Sequence, residues 1–184
     1  YFAEFGEYAE ITGFRNVKIE DAAQFLEATR REQRGTAVQY FNAELVATWQ
    51  HLYFAVLNAL TAFSNKTNIS RNIAMETMLY ASAQRQIQKA ISLVGVKRDS
   101  ANVAAVVIGK NQDSVKKLVS EISKRIGAEP DETVLALSKD KLQSIHKAFN
   151  ISEKEVETVM KTGDAEQALV NLVIERVALL STQL

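Results

Sequence analysis

Residues 64–98 concentrate the side chains that can contact phosphate groups. This segment carries six lysines and arginines and one acidic residue, Glu76, whereas the whole 184-residue chain has 22 basic and 22 acidic residues. If residues 71–89 form one helix, spacings of three and four place six side chains on one face. These side chains are Arg71, Met75, Met78, Ser82, Arg85 and Lys89. Such a basic face suits a nucleic-acid backbone with room for a stacked base.

A solvated helix face explains the same pattern and is the more common arrangement, with the methionines packed on a neighbouring element. On this interpretation the opposite face of the helix enters the core. The residues of that opposite face are Ile73, Tyr80, Ala83, Ile87 and Ile91.

Residues 169–180 are nearly all apolar, and Val170, Val173, Val177 and Leu180 form one stripe at helical spacing. A helix that is apolar on most sides must be buried on most sides. The helix is therefore either central to the core of this chain or a cover for a partner. The pattern leaves both open, and the first is the more frequent case.

The usual signatures of catalysis are missing. The chain has no cysteine, and the Val-Ile-Gly-Lys sequence at 107–110 lacks the further glycines of a phosphate-binding loop. His51 lies in an apolar stretch, which predicts a core histidine with a hydrogen-bond partner. Ser144 and His146 are two residues apart and point away from each other on a helix. We therefore expect no enzyme, no metal site and no cofactor.

The elements that position these residues predict an α+β fold, a single domain over 1–184. A small mixed or antiparallel sheet packs with helices, and the last third of the chain is helical. Strands are predicted at 37–41 and 102–108, with two short strands around Gly6 within 1–14. Helices are predicted at 19–34, 48–64, 113–126 and 138–149, and over 71–93 in one or more pieces. A short helix is predicted to begin at the Ser152/Glu155 capping box, and a last helix to run from Asp164 to about residue 180.

The composition points to an intracellular protein. Apolar residues make up 47% and charged residues 24%, and no run of 18 apolar residues predicts a membrane span. No secretory signal is recognised at the start of the sequence. We expect a cytoplasmic location, also nuclear if the protein is eukaryotic.

Several blocks of the sequence resemble one known family. They are 51–60 (HLYFAVLNAL), 68–73 (NISRNI), Glu76, 79–87 (LYASAQRQI), Ala90 and 175–180 (ERVALL). Over roughly residues 52–180 their order and spacing resemble the kinase-binding small subunit of the KEOPS complex, the p53-related-kinase-binding protein family of animals. The block at 71–90 is the most specific part of the resemblance.

The resemblance implies a compact, non-catalytic protein that binds and stimulates the small atypical kinase of KEOPS. That kinase supports the threonylcarbamoyl-transferase subunit, which makes threonylcarbamoyl-adenosine in tRNA. Archaeal members bind the single-stranded 3′ CCA end of tRNA, the kind of RNA that proteins read by stacking and base-edge contacts. Two alternatives remain: a kinase regulator with no RNA binding of its own, and an enzyme with an unrecognised acid–base pair in a pocket.

The resemblance assigns candidate contacts to both surfaces. The tRNA contacts would be Lys66, Arg71, Ser82, Arg85, Gln86 and Lys89. The kinase contacts would lie on the less buried side of the last helix, with Arg176 at the rim, and are Val173, Arg176, Val177 and Leu180. Ala83 stands where many members are expected to have glycine, and a helix break there would separate Arg71 from Arg85.

Overall fold

The computed structural model describes residues 1–29, 35–160 and 163–182. Its three-stranded antiparallel sheet has the order β1-β3-β2. The strands are β1 (Tyr8–Phe14), β2 (Thr36–Asn42) and β3 (Val103–Gly109). The central strand β3 is buried along its whole length, as its continuous apolar sequence predicted. The predicted α+β fold is therefore confirmed.

Eight helices account for most of the remaining described chain. They are α1 (Ala22–Thr29), α2 (Trp49–Ser64), α3 (Ile73–Ser82), α4 (Ile87–Val94), α5 (Gln112–Ile126), α6 (Lys139–Ala148), α7 (Glu153–Val159) and α8 (Ala165–Leu179). The predicted starts of α7 and α8 are confirmed. Ser152 and Glu155 form a reciprocal capping box, and the Asp164 carboxylate accepts from the Gln167 backbone N–H. The predicted extension of α1 to residue 34 lies outside the described residues.

Alternation along β3 divides the core between the two faces of the sheet. Ala104, Val106 and Ile108 join a large apolar cluster with residues of α2, α3, α4, α6, α7 and α8. Val103, Ala105 and Val107 face a smaller cluster that includes residues of α1 and α5. The basic segment and the last helix therefore lie on the same side of the sheet.

Of the two strands predicted around Gly6, the second is present as β1, but the first is reduced to a single bridge and the two form no hairpin. Residues before β1 make one isolated bridge, between Phe2 and Glu7, and Gly6 turns the chain with a positive φ of 65°. β1 instead pairs with β3, where Tyr8 lies opposite Gly109 and Phe14 opposite Val103. This long-range pairing covers the otherwise open edge of β3.

No helix in the described ranges combines the length and apolar content needed to cross a bilayer.

Candidate functional site

The helical segment predicted over 71–93, in one or more pieces, is two helices separated by a break at Ala83. This residue adopts the left-handed conformation, with φ 51° and ψ 37°. The backbone N–H groups of Ala83 and Gln84 donate to the Tyr80 and Leu79 carbonyls, at 2.9 and 3.1 Å, and so close the end of α3. The chain then turns, and α4 begins at Ile87 with Gln86 as its N-cap.

This break excludes the single basic face that one continuous helix over 71–89 would have formed. Met78 and Ser82 are buried, and the Ser82 hydroxyl donates to the Leu79 carbonyl at 3.0 Å. Ser82 is therefore not available for the predicted tRNA contact. Conversely, Ile87 and Ile91 were expected in the core but are 39% and 38% exposed.

The remaining predicted tRNA contacts are exposed and lie in two groups at the two ends of α3. We call Lys66, Arg71 and the neighbouring Lys110 the first basic group. Arg85, Gln86 and Lys89 form the second basic group. A ten-residue helix is about 15 Å long, so a ligand that contacts both groups must extend along α3.

The single acidic residue of the segment turns away from this surface. Glu76 is fully buried, and its carboxylate accepts from the backbone N–H of Ile69 at 3.1 Å and of Ser70 at 2.6 Å. These bonds fix the loop between α2 and α3, which carries Lys66 and Arg71. The exposed charge of the segment is therefore entirely positive within the described residues.

Arg71 and Lys110 of the first basic group line a cleft of about 450 Å³. Arg71 enters this cleft from the start of α3, and Lys110 enters it from the end of β3. Glu7 also lines the cleft. Burial raises the pKa of the Glu7 carboxyl, and the positive charge of Lys110 partly lowers it again. The arrangement favours an anionic ligand at Arg71, while Lys110 is shared with Glu7.

The second basic group borders a cleft of about 400 Å³ between α4 and the end of α6. Gln84 and Gln88 line it together with Lys89, over the apolar side chains of Leu93 and Ala148. Amide side chains both donate and accept hydrogen bonds, as the edge of a nucleobase requires. This cleft combines a cation with polar groups that can read a base.

The segment offers aliphatic rather than aromatic contacts to a base. Its single aromatic residue, Tyr80, is 4% exposed. Burial and the charge of Glu76 raise the pKa of Tyr80, while the guanidinium of Arg85 lowers it, which places Arg85 electrostatically close to the tyrosine. Ile87 and Ile91 supply the exposed apolar surface beside the second basic group.

A buried histidine fixes the end of α3, as the sequence predicted for His51. Its Nδ1 accepts from the Ala47 N–H at 3.2 Å, so Nε2 carries the proton and donates to the Ala81 carbonyl at 2.8 Å. Desolvation by burial, opposed by the hydrogen bond to the Ala81 carbonyl and helped by the charge of Lys141, lowers the pKa of His51 to about 4. The neutral ring therefore holds α3 against α2.

Three of the four predicted kinase contacts, Val173, Val177 and Leu180, lie in the core and have no exposed side-chain surface. They stabilise the fold and cannot themselves contact a partner in this conformation. Arg176 remains partly exposed and donates to the Glu155 carboxylate at 2.7 Å. The backbone N–H of Ser152, then Arg176 and the Ser152 hydroxyl, donate to the Glu155 carboxylate and lower its pKa to about 2.

Around Arg176 the structure exposes apolar side chains of both helices. Val159 of α7 and Leu179 of α8 are 40% and 43% exposed. Val159, Glu155 and Leu172 line a shallow, largely apolar groove of about 260 Å³. Leu172, Arg176 and Leu179 are four and three residues apart, so they follow one another along one side of α8. We call this surface the α7–α8 groove.

Sequence reasoning missed Lys110, Gln84 and Gln88 as candidate binding residues. The Gly-Lys end of β3 was a visible signal for Lys110, but its position beside Arg71 depends on strand pairing with β1 and β2. Gln84 and Gln88 could not be predicted as binding residues from the sequence, because their position depends on the break at Ala83 and the resulting direction of α4.

Comparison with known proteins identifies the class of this molecule. A family model for the kinase binding protein CGI-121 matches residues 14–181 of the chain. The protein therefore belongs to this family of kinase-binding regulatory proteins.

One relative is the regulatory protein Cgi121 of Methanocaldococcus jannaschii, to which the chain is 35% identical over 117 residues. The match covers 64% of this chain and 72% of the relative.

Proposed function

We propose that this protein is a non-catalytic KEOPS subunit that binds the complex's small atypical kinase and recruits tRNA by its 3′ CCA end. In this role it stimulates the kinase and supports threonylcarbamoyl-adenosine formation by the transferase subunit. The observation that carries the RNA part is the exposed positive side chains at both ends of α3, beside a cleft lined by two glutamines.

The two basic groups have complementary chemistry for a single-stranded RNA end. Arg71 and Arg85 offer planar, multiply donating groups to phosphates. Gln88 in the neighbouring cleft offers an amide to a base edge, and Ile91 offers an apolar surface to its ring. A duplex would not present unstacked bases to this cleft, whereas a single-stranded end does.

The first test compares intact tRNA with tRNA from which the CCA end has been removed. Labelled RNA is titrated with the protein, and binding is followed by fluorescence anisotropy at several salt concentrations. We expect trimming to abolish saturable binding, and the affinity for intact tRNA to fall steeply with salt because phosphate contacts release counterions. Equal affinity for both RNAs would contradict recognition of the CCA end.

Charge reversal locates the contact. Arg85→Glu should weaken binding of intact tRNA by about tenfold or more. It should also reduce the slope of log affinity against log salt concentration by about one. The matched control is Lys116→Glu on α5, an exposed lysine of a helix packed on the other face of the sheet. Equal weakening by both substitutions would show a general charge effect, and loss of helical circular dichroism would show that Arg85 is structural.

The kinase contact is proposed at the α7–α8 groove. Leu179 and Val159 expose apolar surface on the two helices joined by the Arg176–Glu155 ion pair, and an apolar patch bordered by polar groups is the usual anatomy of a protein interface. Leu179→Glu should weaken kinase binding by at least about tenfold, measured by calorimetry. Ile91→Glu, at a similarly exposed apolar residue of α4, is the control and should bind the kinase normally.

A kinase regulator without RNA binding is the second candidate. It is favoured by the aliphatic character of the α3–α4 surface, because single-stranded RNA sites commonly use aromatic side chains for stacking. Kinase binding that persists without any measurable affinity for intact tRNA would select this candidate.

A further inference from the structure

A cleft of about 580 Å³ lies where the first turns of α2 and α8 meet. Trp49 and Gln50 line it from α2, and Asp164, Glu166 and Gln167 line it from the start of α8. The third wall is the short 3-10 helix Glu132–Leu135. The basic loop with Lys66 follows the other end of α2, and a 16-residue helix is about 24 Å long. This cleft is therefore remote from the first basic group, whereas the His51–Ala81 hydrogen bond places the end of α3, which precedes the second basic group, near the first turn of α2.

The floor of the cleft is apolar and its wall carries an exposed aromatic ring. Ile11, Leu135 and Val170 contribute to the floor. Trp49 is 54% exposed and is the only tryptophan of the chain. Its ring meets Tyr53 edge to face, at 6.0 Å between centroids, so Tyr53 supports the indole from within the protein. An exposed, supported indole is a preferred contact for a cation.

The charges around the cleft are all negative among the described residues that line it. Glu132, Asp164 and Glu166 contribute carboxylates, and no lysine, arginine or histidine is among those lining residues. Each carboxylate has a local role in the first turn or cap of its helix. Together they nevertheless give the two walls formed by the 3-10 helix and the start of α8 a formal charge of −3.

Two cations that contact the 3-10 helix Glu132–Leu135 or its neighbours are already engaged. Lys141 is 4% exposed and donates both to the Val134 and to the Ala136 carbonyl, from inside the protein. Arg15 pairs with Asp131 at 2.9 Å, so that pair is already neutral. The cleft therefore presents an aromatic face, an apolar floor and a rim whose charged lining residues are all acidic.

We propose that this cleft docks a protein segment bearing arginine next to an apolar residue. The guanidinium stacks on Trp49 and pairs with the carboxylates of Glu132 and Glu166, while the apolar side chain covers the floor. Arginine fits better than lysine because its planar group both stacks and forms bidentate bonds with carboxylates. Nucleic acid is excluded as the occupant because phosphates would meet the negative rim.

The test uses Trp49 as its own reporter. A capped peptide, acetyl-Gly-Leu-Arg-Ala-Arg-Gly-amide, is titrated into the protein while the tryptophan emission is measured. The control peptide carries citrulline at both arginine positions, which keeps the shape and removes the charge. We expect a saturable change with the arginine peptide and binding at least about tenfold weaker with the citrulline peptide. Equal affinities, or equal binding of a lysine peptide, would overturn the proposal.

Substitution of the rim separates a local site from net charge. The triple variant Glu132→Gln, Asp164→Asn, Glu166→Gln keeps a good helix cap at residue 164 and should lose the fluorescence change. A control variant removes three exposed carboxylates outside the cleft and should retain it. Its substitutions are Asp113→Asn, Glu153→Gln and Glu157→Gln.

Equal loss in the two triple variants would overturn the site. A second measurement follows a dye-labelled arginine peptide by anisotropy, where Trp49→Leu should weaken binding about tenfold. Unchanged binding to Trp49→Leu would overturn the stacking contact. The assay contains neither kinase nor RNA, so its outcome does not depend on the proposed function.

Discussion

Acidification should release the contact by which His51 joins α2 to the end of α3. In the neutral ring Nδ1 accepts from the Ala47 N–H, and Nε2 donates to the Ala81 carbonyl. Protonation would place a second N–H at Nδ1, directly opposite the donor of Ala47. The ring is 1% exposed, so water cannot solvate the new charge.

The size of this effect follows from the pKa of His51, which burial lowers from 6.5 to about 4. Between these values the unfolded chain binds a proton at this site and the folded protein does not. The free energy of unfolding therefore falls as the pH falls, by about 1.4 kcal/mol per pH unit from this group alone. The full contribution is about 3 kcal/mol and is lost once the pH reaches about 4.

Urea denaturation between pH 4 and pH 7 measures this contribution when the protein is compared with His51→Gln. The amide of glutamine can donate to the Ala81 carbonyl but does not titrate. Carboxylates contribute equally to both proteins, so the difference in their pH profiles isolates His51. The variant should be less stable at pH 7 and should lose less stability on acidification. Parallel profiles would refute the assignment of a neutral, buried histidine at this position.

Two further substitutions test the supports of the basic surface. Glu76→Gln replaces the carboxylate that accepts from Ser70 and should lower the free energy of unfolding by about 2 kcal/mol, since hydrogen bonds to charged groups are worth about that much. It should also weaken tRNA binding, because the loop that carries Lys66 and Arg71 is less firmly held. An unchanged midpoint of chemical denaturation would contradict the predicted loss of stability. Ala83→Gly removes the side chain from a residue in the left-handed conformation, with φ 51°, and should raise the free energy of unfolding by up to about 1 kcal/mol. The expected readout is a higher melting temperature. A lower melting temperature would show that Ala83 is unstrained.

Local signals predicted much of the fold because they act within a few residues. Ser152 and Glu155 start α7 by bonding to each other's backbone, and the spacing of three that permits this is visible in the sequence. β3 was predicted from its apolar run. Its partners were not, since β1 lies more than 80 residues before it and no local pattern specifies that pairing.

The candidate site was predicted only in part because it depends on one backbone angle. Alanine has the highest helix propensity, so the periodic pattern through Ala83 gave no sign of a stop, apart from its unusual place in the family resemblance. The structure stops the helix through tertiary contacts instead. His51 holds the Ala81 carbonyl, and Ser82 is buried with its hydroxyl turned back onto the Leu79 carbonyl.

The same break explains why the basic side chains form two groups at the ends of α3 rather than one face of a single helix. A continuous helix would have carried Arg71 and Arg85 on one surface together with the side chains of Met78 and Ser82. The turn instead buries Met78 and Ser82 and leads the chain into α4 beyond the end of α3. Burial of Glu76 then leaves this surface without a carboxylate from its own segment. Because Ala83 ends α3 in the left-handed conformation, α3 packs in the core while the basic residues at its two ends stay on the surface.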